Sequence, residues 1–114
     1  MSTQYQRGAA FERRVMRDLE KRGYYVLRSA GSHSAIDVVA LDYQVTLGVQ
    51  AKLDGRCDPE EWNALWDLAA TNKLDDALIA SVGPRRGSPI VYSRLTGPKD
   101  GVRGKVAPWE RFEP

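Results

Sequence analysis

The sequence predicts an α/β protein with a mixed central β-sheet flanked by helices, in the order helix, three strands, helix, two strands. Two segments carry apolar residues at the three-to-four spacing of a helix that packs along one side. Five short segments are rich in β-branched and apolar residues, as strands are. The helical crossover between the third and fourth strands favours a sheet with both parallel and antiparallel neighbours.

Length and composition are those of one domain, residues 1–114. Hydrophobic residues make up 42% and charged residues 28%, which is ordinary for a soluble globular protein. No apolar run approaches a membrane span and the start has no signal-peptide core, so we expect no membrane contact and a cytoplasmic location, or the host cytoplasm for a viral protein. Cys57 is the only cysteine, which excludes an internal disulfide; we interpret it as a bystander thiol in a loop.

Charge is distributed unevenly along the chain. Residues 1–28 carry seven basic and three acidic side chains, as do residues 81–114, so each end has a net charge of +4. Residues 54–80 carry two basic and seven acidic side chains, a net charge of −5. This asymmetry suits a protein that turns one cationic face toward a polyanion, although ordinary solvated surface is an alternative interpretation.

The first helix is predicted over Gln6–Arg22 and ends at Gly23. Glu12 is the one acid within its apolar stripe, at about 100° per residue. Its carboxylate either reaches water from the edge of the stripe or is aimed inward at a site. The stripe itself consists of Phe11, Val15, Met16 and Leu19.

Three strands are predicted next, over Tyr24–Arg28, Ile36–Leu41 and Val45–Leu53. The first two are joined by a loop of small residues, Ser29–Ser34, which lets a backbone or a phosphate approach closely. The second and third form a hairpin with its turn near Asp42–Gln44. The dipeptides that mark the tightest hairpin turns are absent there, so the turn type stays open.

The hairpin brings polar side chains together. A turn centred between residues 43 and 44 pairs residues whose numbers sum to 87, so Asp37 lies opposite Gln50, with Cβ atoms about 4.5–5.5 Å apart. Alternation puts Lys52 on the same face as Gln50. The other face is predicted to be core, formed by Ile36, Val38, Ala40, Leu47, Val49 and Ala51.

The second helix begins at Asp58, an N-cap acid followed by Pro59 at the first helical position and Glu61 at the third. It ends near Asn72–Lys73, and its predicted buried stripe is Trp62, Leu65, Trp66 and Ala69. Its acids near the first turn suit the helix dipole, which explains much of the negative middle without a binding role.

Two further strands are predicted over Ala77–Val82 and Pro89–Arg94, joined by a basic loop. From Thr96 onward glycines and prolines interrupt regular structure. Trp109 and Phe112 are expected to pin this tail to the core.

Polar residues inside apolar strands indicate a site, because ionisable groups are seldom buried without a partner. Oxygen ligands from Glu12, Asp37 and Gln50 suit a hard cation, Mg²⁺ with Mn²⁺ as a possible substitute, rather than zinc. Lys52 on the same face could stabilise charge on a phosphate or help to orient and deprotonate the attacking water. The arrangement is typical of phosphodiester hydrolysis.

The segment FERRVMRDLEKRGYYVLRSAGSHSAIDVVAL, followed by VQAK, resembles the archaeal-type Holliday junction resolvases of the PD-(D/E)XK nuclease superfamily. The resemblance implies a restriction-endonuclease-like fold and a magnesium-dependent endonuclease that acts as a homodimer and nicks four-way DNA junctions symmetrically. It assigns Glu12, Asp37 and Lys52 to the family's catalytic pattern, and the loop residue Ser32 to the serine associated there with catalysis.

Two residues depart from the family pattern. Ile36 stands where a proline precedes the motif aspartate, at a loosely defined position. Gln50 stands where the family has an acid two residues before the lysine. An amide oxygen can still ligate a hard cation but brings no charge, so we expect weaker metal affinity and retained catalysis.

Contacts with DNA are expected from side chains around this motif. The histidine is either a general base or, by the interpretation we favour, a loop residue that contacts phosphate or solvent. The arginines would position DNA without reading its sequence, with plain surface charge as the alternative for each. These residues are Arg7, Arg13, Arg14, His33, Arg85 and Arg86.

We therefore hypothesise a metal-dependent, structure-selective DNA endonuclease that resolves four-way junctions. One alternative is a related nuclease that acts on flaps, nicks or DNA ends. A second, from another class, is a DNA-binding module that has lost cleavage through Gln50. A small-molecule metalloenzyme or a purely structural domain explains the basic ends poorly.

Overall fold

The computed structural model describes residues 3–29, 34–102 and 105–114, without the side chain of Tyr5. The predicted order of seven elements is confirmed, and a short eighth element, β6, follows them. The elements are α1 (Gln4–Lys21), β1 (Tyr25–Arg28), β2 (Val38–Leu41), β3 (Thr46–Ala51), α2 (Pro59–Thr71), β4 (Asp76–Val82), β5 (Ile90–Leu95) and β6 (Trp109–Phe112).

Both helices begin at side chains that cap their free N–H groups. Thr3 and Gln6 form a reciprocal capping box, so α1 begins two residues earlier than predicted. The side chain of Asp58 accepts a hydrogen bond from the Glu61 N–H at 2.8 Å, and Pro59 follows at the first helical position, as predicted. The first turn of α2 is thus fixed by its own sequence.

In the part of the chain that the structure describes, six strands form one sheet in the order β1-β2-β3-β4-β5-β6. Of these described pairs only β3–β4 is parallel, because α2 connects the two strands as a crossover; the other pairs are antiparallel. The β2–β3 register runs from Val38 opposite Val49 to Leu41 opposite Thr46. Every pair sums to 87, so the predicted hairpin register is confirmed.

Each helix covers one face of the sheet with its own core. The cluster beneath α1 contains Phe11, Val15, Leu19, Val38, Ala40, Leu47, Val49, Leu78, Ala80 and Tyr92. The cluster beneath α2 contains Ile36, Cys57, Trp62, Leu65, Ala69, Ala77, Ile79 and Leu95. The predicted apolar stripes of both helices therefore face the sheet, with Met16 and Trp66 partly buried at their edges.

The predicted side of the sheet for Ile36 is wrong. Ile36 packs in the cluster beneath α2 and not with Val38 beneath α1. The cause is local: β2 begins only at Val38, so the strand alternation that assigned Ile36 to the α1 face does not extend to it. Asp37 lies between the irregular segment that precedes β2 and Val38, the first residue of the strand.

The C-terminal segment returns to the sheet as β6, antiparallel to β5. Phe112 packs against the cluster beneath α1, as expected of a residue that pins the tail. Trp109 is 50% exposed and does not fulfil that prediction. In the described residues, no helix is both long enough and apolar enough to cross a membrane.

The segment before β6 is bound to the start of α2. The Trp62 indole N–H donates to the Gly97 carbonyl at 2.9 Å, and Asn63 exchanges two hydrogen bonds with the Lys99 backbone. The Lys99 ammonium donates to the Cys57 carbonyl at 2.9 Å. These contacts hold the loop between β3 and α2 and the first turn of α2 in one arrangement.

Candidate active site

An open groove of about 590 Å³ lies beside the end of β3, between α1 and the first turn of α2. Four residues singled out in the sequence line it: Glu12, Asp37, Gln50 and Lys52. They come from α1, the approach to β2, the end of β3 and the residue after β3. The first turn of α2 and its cap add three acids to the wall, Asp58, Glu60 and Glu61.

Asp37 is held through its backbone and its side chain. Its N–H donates to the Val49 carbonyl at 2.9 Å, its carbonyl accepts from the Ser29 N–H at 2.9 Å, and its carboxylate accepts from the Ala51 N–H at 2.9 Å. Burial raises the pKa of Asp37, and the nearby Glu12 carboxylate raises it further, against the hydrogen bond from Ala51. A carboxylate kept partly dehydrated beside a second one is suited to binding a cation.

Gln50 is the one polar residue of the described chain that is buried, with 8% of its surface exposed. Its amide oxygen accepts a hydrogen bond from the Cys57 thiol, with 3.7 Å between sulfur and oxygen. Burial raises the pKa of Cys57 to about 11, so the thiol keeps its proton at neutral pH. Cys57 lies in the loop between β3 and α2, as predicted, but it is a buried neighbour of the candidate ligand and not a bystander.

Glu12 faces the groove from α1 with 22% of its side chain exposed. Its carboxylate accepts a hydrogen bond from the Arg28 guanidinium at 3.2 Å. This position agrees with the interpretation in which the Glu12 carboxylate is aimed inward at a site. The guanidinium at the end of β1 fixes the direction of that carboxylate.

Lys52 forms an ion pair with Glu61, at 2.7 Å between Nζ and Oε2. Burial disfavours the ammonium, but the hydrogen bond and charge of Glu61 outweigh it, and the pKa of Lys52 is raised with a further contribution from Asp37. Lys52 is thus a fixed cation between an aspartate and a glutamate.

The oxygen donors of the groove suit a hard divalent cation. Among the described residues, no three His, Cys, Asp or Glu side chains gather closely enough to hold a metal ion by themselves. Mg²⁺ does not require such a cage, since it is usually held by one or two carboxylates together with waters and substrate phosphates. Asp37, Glu12 and the amide oxygen of Gln50 supply that chemistry in one groove.

The remaining predicted site residues lie elsewhere. Ser32 and His33 lie outside the described residues. The α1 arginines Arg7, Arg13 and Arg14 are exposed, and the Arg14 guanidinium lies over the Phe11 ring at 5.9 Å. Arg85 and Arg86 are exposed in the β4–β5 loop, where they line a separate depression with Leu53 and Asp54.

Three residues of the site were not found from the sequence. Arg28 was assigned only as the end of a strand, and Glu61 only as a capping residue. Cys57 carried no signal that distinguishes a buried thiol from an exposed one. For Glu61 a signal existed, because the short loop between β3 and α2 keeps the first turn of α2 within reach of the end of that strand.

The mixed sheet with a helix on each face defines an α/β protein of the restriction-endonuclease-like class, and the groove lies where two helices meet the end of a strand. A solved structure shares this fold, that of the Archaeoglobus fulgidus protein Hjc, described as a Holliday junction resolvase from an archaeal hyperthermophile. The TM-score is 0.64 at 24% sequence identity, over 75% of this chain and 70% of that chain.

The family model of the archaeal Holliday junction resolvases matches residues 3–58. These residues contain Glu12, Asp37, Gln50 and Lys52. Over this segment, just under half of the chain, the protein is similar to the archaeal Holliday junction resolvases.

Proposed function

We propose that this protein is a metal-dependent, structure-selective DNA endonuclease that resolves four-way junctions by hydrolysis of phosphodiester bonds. One observation supports this above the others: Glu12, Asp37, Gln50 and Lys52, from separate parts of the fold, line a single groove. All four fall in the segment that matches the resolvase family.

The groove residues divide the chemistry between them. The carboxylates of Asp37 and Glu12 and the amide oxygen of Gln50 would hold Mg²⁺, with Mn²⁺ as a possible substitute. That ion, when bound, supplies positive charge to a phosphate oxygen and lowers the pKa of bound water. Lys52 contributes a fixed ammonium that stabilises negative charge on the phosphate being cleaved. Arg28 keeps the Glu12 carboxylate directed at the groove.

Substrate selection is proposed to follow from symmetry and charge. A four-way junction offers equivalent strands, which a two-fold symmetric homodimer with one groove per protomer would match. The exposed arginines Arg7, Arg13 and Arg14 lie on the helix that carries Glu12, and would contact phosphates near the groove. Arg85 and Arg86 would contact phosphates farther along a DNA arm.

The test is cleavage of a labelled immobile four-way junction, with and without Mg²⁺, beside linear duplex and flap controls. Asp37→Asn is the matched variant, because asparagine keeps the shape and one oxygen acceptor but removes the charge. We expect wild type to give paired symmetric nicks on the junction only when Mg²⁺ is present, and the variant to bind without cleaving.

Other outcomes identify the alternatives. Equal cleavage of flaps and junctions would indicate a nuclease of broader selectivity. Tight junction binding with no product from wild type or Asp37→Asn would show a DNA-binding module without hydrolysis, and would overturn the enzyme proposal.

A further inference from the structure

The motif positions of the groove carry one acid fewer than the family pattern, because position 50 is a glutamine. Of the two remaining carboxylates, Glu12 already faces the Arg28 guanidinium at 3.2 Å. Asp37 alone is left as an acidic neighbour of Lys52 within the motif. Without another carboxylate nearby, the positive charge of Lys52 would be only partly compensated.

A carboxylate from another element meets Lys52 directly. Glu61, in the first turn of α2, lies 2.7 Å from the ammonium, the distance of a charge-assisted hydrogen bond. The lysine side chain is 26% exposed and that of Glu61 42% exposed, so the pair lies at the wall of the groove.

The position of Glu61 is built into the fold. Its N–H is capped by Asp58, and the next two residues, Trp62 and Asn63, hydrogen-bond to the segment at Gly97 and Lys99. A carboxylate on such an anchored turn loses less conformational entropy in the ion pair than one on a mobile loop.

We infer that Glu61 is a positioning residue of the groove: it supplies the carboxylate charge that position 50 lacks and holds the Lys52 ammonium toward the phosphate. The catalytic consequence rests on the proposed function, whereas the ion pair is testable by itself. The neighbouring Glu60 lines the same groove, and among the described ion pairs the one to Lys52 is made by Glu61. Glu60 therefore provides a matched control.

The first experiment measures the reactivity of Lys52 in folded protein without DNA or metal. Trace acetylation with acetic anhydride, followed by peptide mass spectrometry, compares wild type, Glu61→Gln and Glu60→Gln, with Lys105 of the same chain as the internal reference. Loss of the carboxylate removes the hydrogen bond that holds the Lys52 amine at the wall of the groove, so the amine becomes more accessible to the reagent. We expect severalfold faster acetylation of Lys52 in Glu61→Gln and an unchanged rate in Glu60→Gln.

Equal Lys52 reactivity in the two variants would overturn the inference. It would show that the ion pair does not control the lysine in solution. Circular dichroism of each variant confirms that the compared proteins are folded.

The second experiment measures the rate of junction cleavage. We expect Glu61→Gln to cleave about tenfold more slowly, the usual scale for loss of a residue that orients another. Adding Gln50→Glu to Glu61→Gln should restore the rate, since the charge returns at the neighbouring position.

A Glu61→Gln protein with the cleavage rate of wild type would contradict the inference. Absence of cleavage by wild type would instead reject the proposed function. The acetylation experiment would still decide whether Glu61 holds Lys52.

Discussion

Arg28 donates a hydrogen bond to the Glu12 carboxylate across 3.2 Å, which joins the end of β1 to the inward acid of α1. The arginine side chain is 53% exposed and the glutamate 22% exposed. An ion pair so exposed to solvent contributes little to the free energy of folding. We therefore expect its main effect to be the orientation of the Glu12 carboxylate.

Removing that guanidinium should therefore affect activity more than stability. For Arg28→Met we expect junction cleavage to fall by about tenfold or more, and the free energy of unfolding to change by about 1 kcal/mol or less. Single-turnover cleavage and urea unfolding measure the two effects. Arg56→Met is the matched control, since Arg56 is 91% exposed and pairs with Asp54 only at 3.9 Å. A large loss of stability without loss of cleavage would contradict the assigned role of Arg28.

Restoring the acid at position 50 should strengthen metal binding. Gln50→Glu would give the groove a third motif charge beside Asp37, so we expect activity to be retained and the half-saturating Mg²⁺ concentration to fall severalfold. Because the residue is buried, the new carboxylate should also lower Tm without metal and recover it with metal. A magnesium titration of cleavage and of Tm measures both. Lost activity in folded Gln50→Glu protein would show that position 50 is not a ligand.

The buried carboxylate of Asp37 should lower the stability of the folded protein at neutral pH. Folding raises the pKa of its carboxyl through burial, so the folded protein holds that proton more tightly than the unfolded chain. The protonated Asp37 carboxyl therefore stabilises the folded protein at pH values below 3.8, the ordinary pKa of aspartate. This stabilisation is lost as the pH rises through the raised pKa of the folded protein. We expect Asp37→Asn to have a higher Tm than wild type at neutral pH, with the difference vanishing below that value. A lower Tm for Asp37→Asn at neutral pH would refute this sign.

Gly48 connects the packing of β3 to the groove. A Cβ there would lie 2.8 Å from Leu74 Cδ1 and 2.9 Å from Ile36 Cδ1, closer than side chains tolerate. Because both neighbours are terminal methyl groups that can shift, we expect Gly48→Ala to lower the free energy of unfolding by only about 1 kcal/mol, and to weaken cleavage because Ile36 directly precedes Asp37. Urea unfolding measures the cost. Gly8→Ala is the contrasting helix variant, where nothing lies within 4 Å and stability should rise by about 0.5–1 kcal/mol.

Local rules predicted most of the fold. The helix stripes, the Asp58 cap and the β2–β3 register depend on neighbouring residues, and the structure confirms each of them. The register also predicted that Asp37, Gln50 and Lys52 lie side by side, and they line one groove.

The misses depend on contacts between distant parts of the chain. The side of the sheet that Ile36 joins is decided by where β2 begins, which alternation alone does not give. Arg28 and Glu61 belong to the site through tertiary contacts to Glu12 and Lys52. A charged residue is also common at the end of a strand or in the first turn of a helix, so its local position alone does not indicate a role in a site. β6 pairs only because β5 offers it an edge.

We predict that the groove hydrolyses DNA at four-way junctions in pairs of cuts. The test is a supercoiled plasmid that extrudes a cruciform, with gel separation of nicked and linear products after addition of Mg²⁺. Two coordinated nicks across the junction give linear plasmid, and we predict that wild type produces it while Asp37→Asn does not. Nicked circles without linear product, or cutting of the same plasmid relaxed and without the cruciform, would contradict junction resolution by this protein.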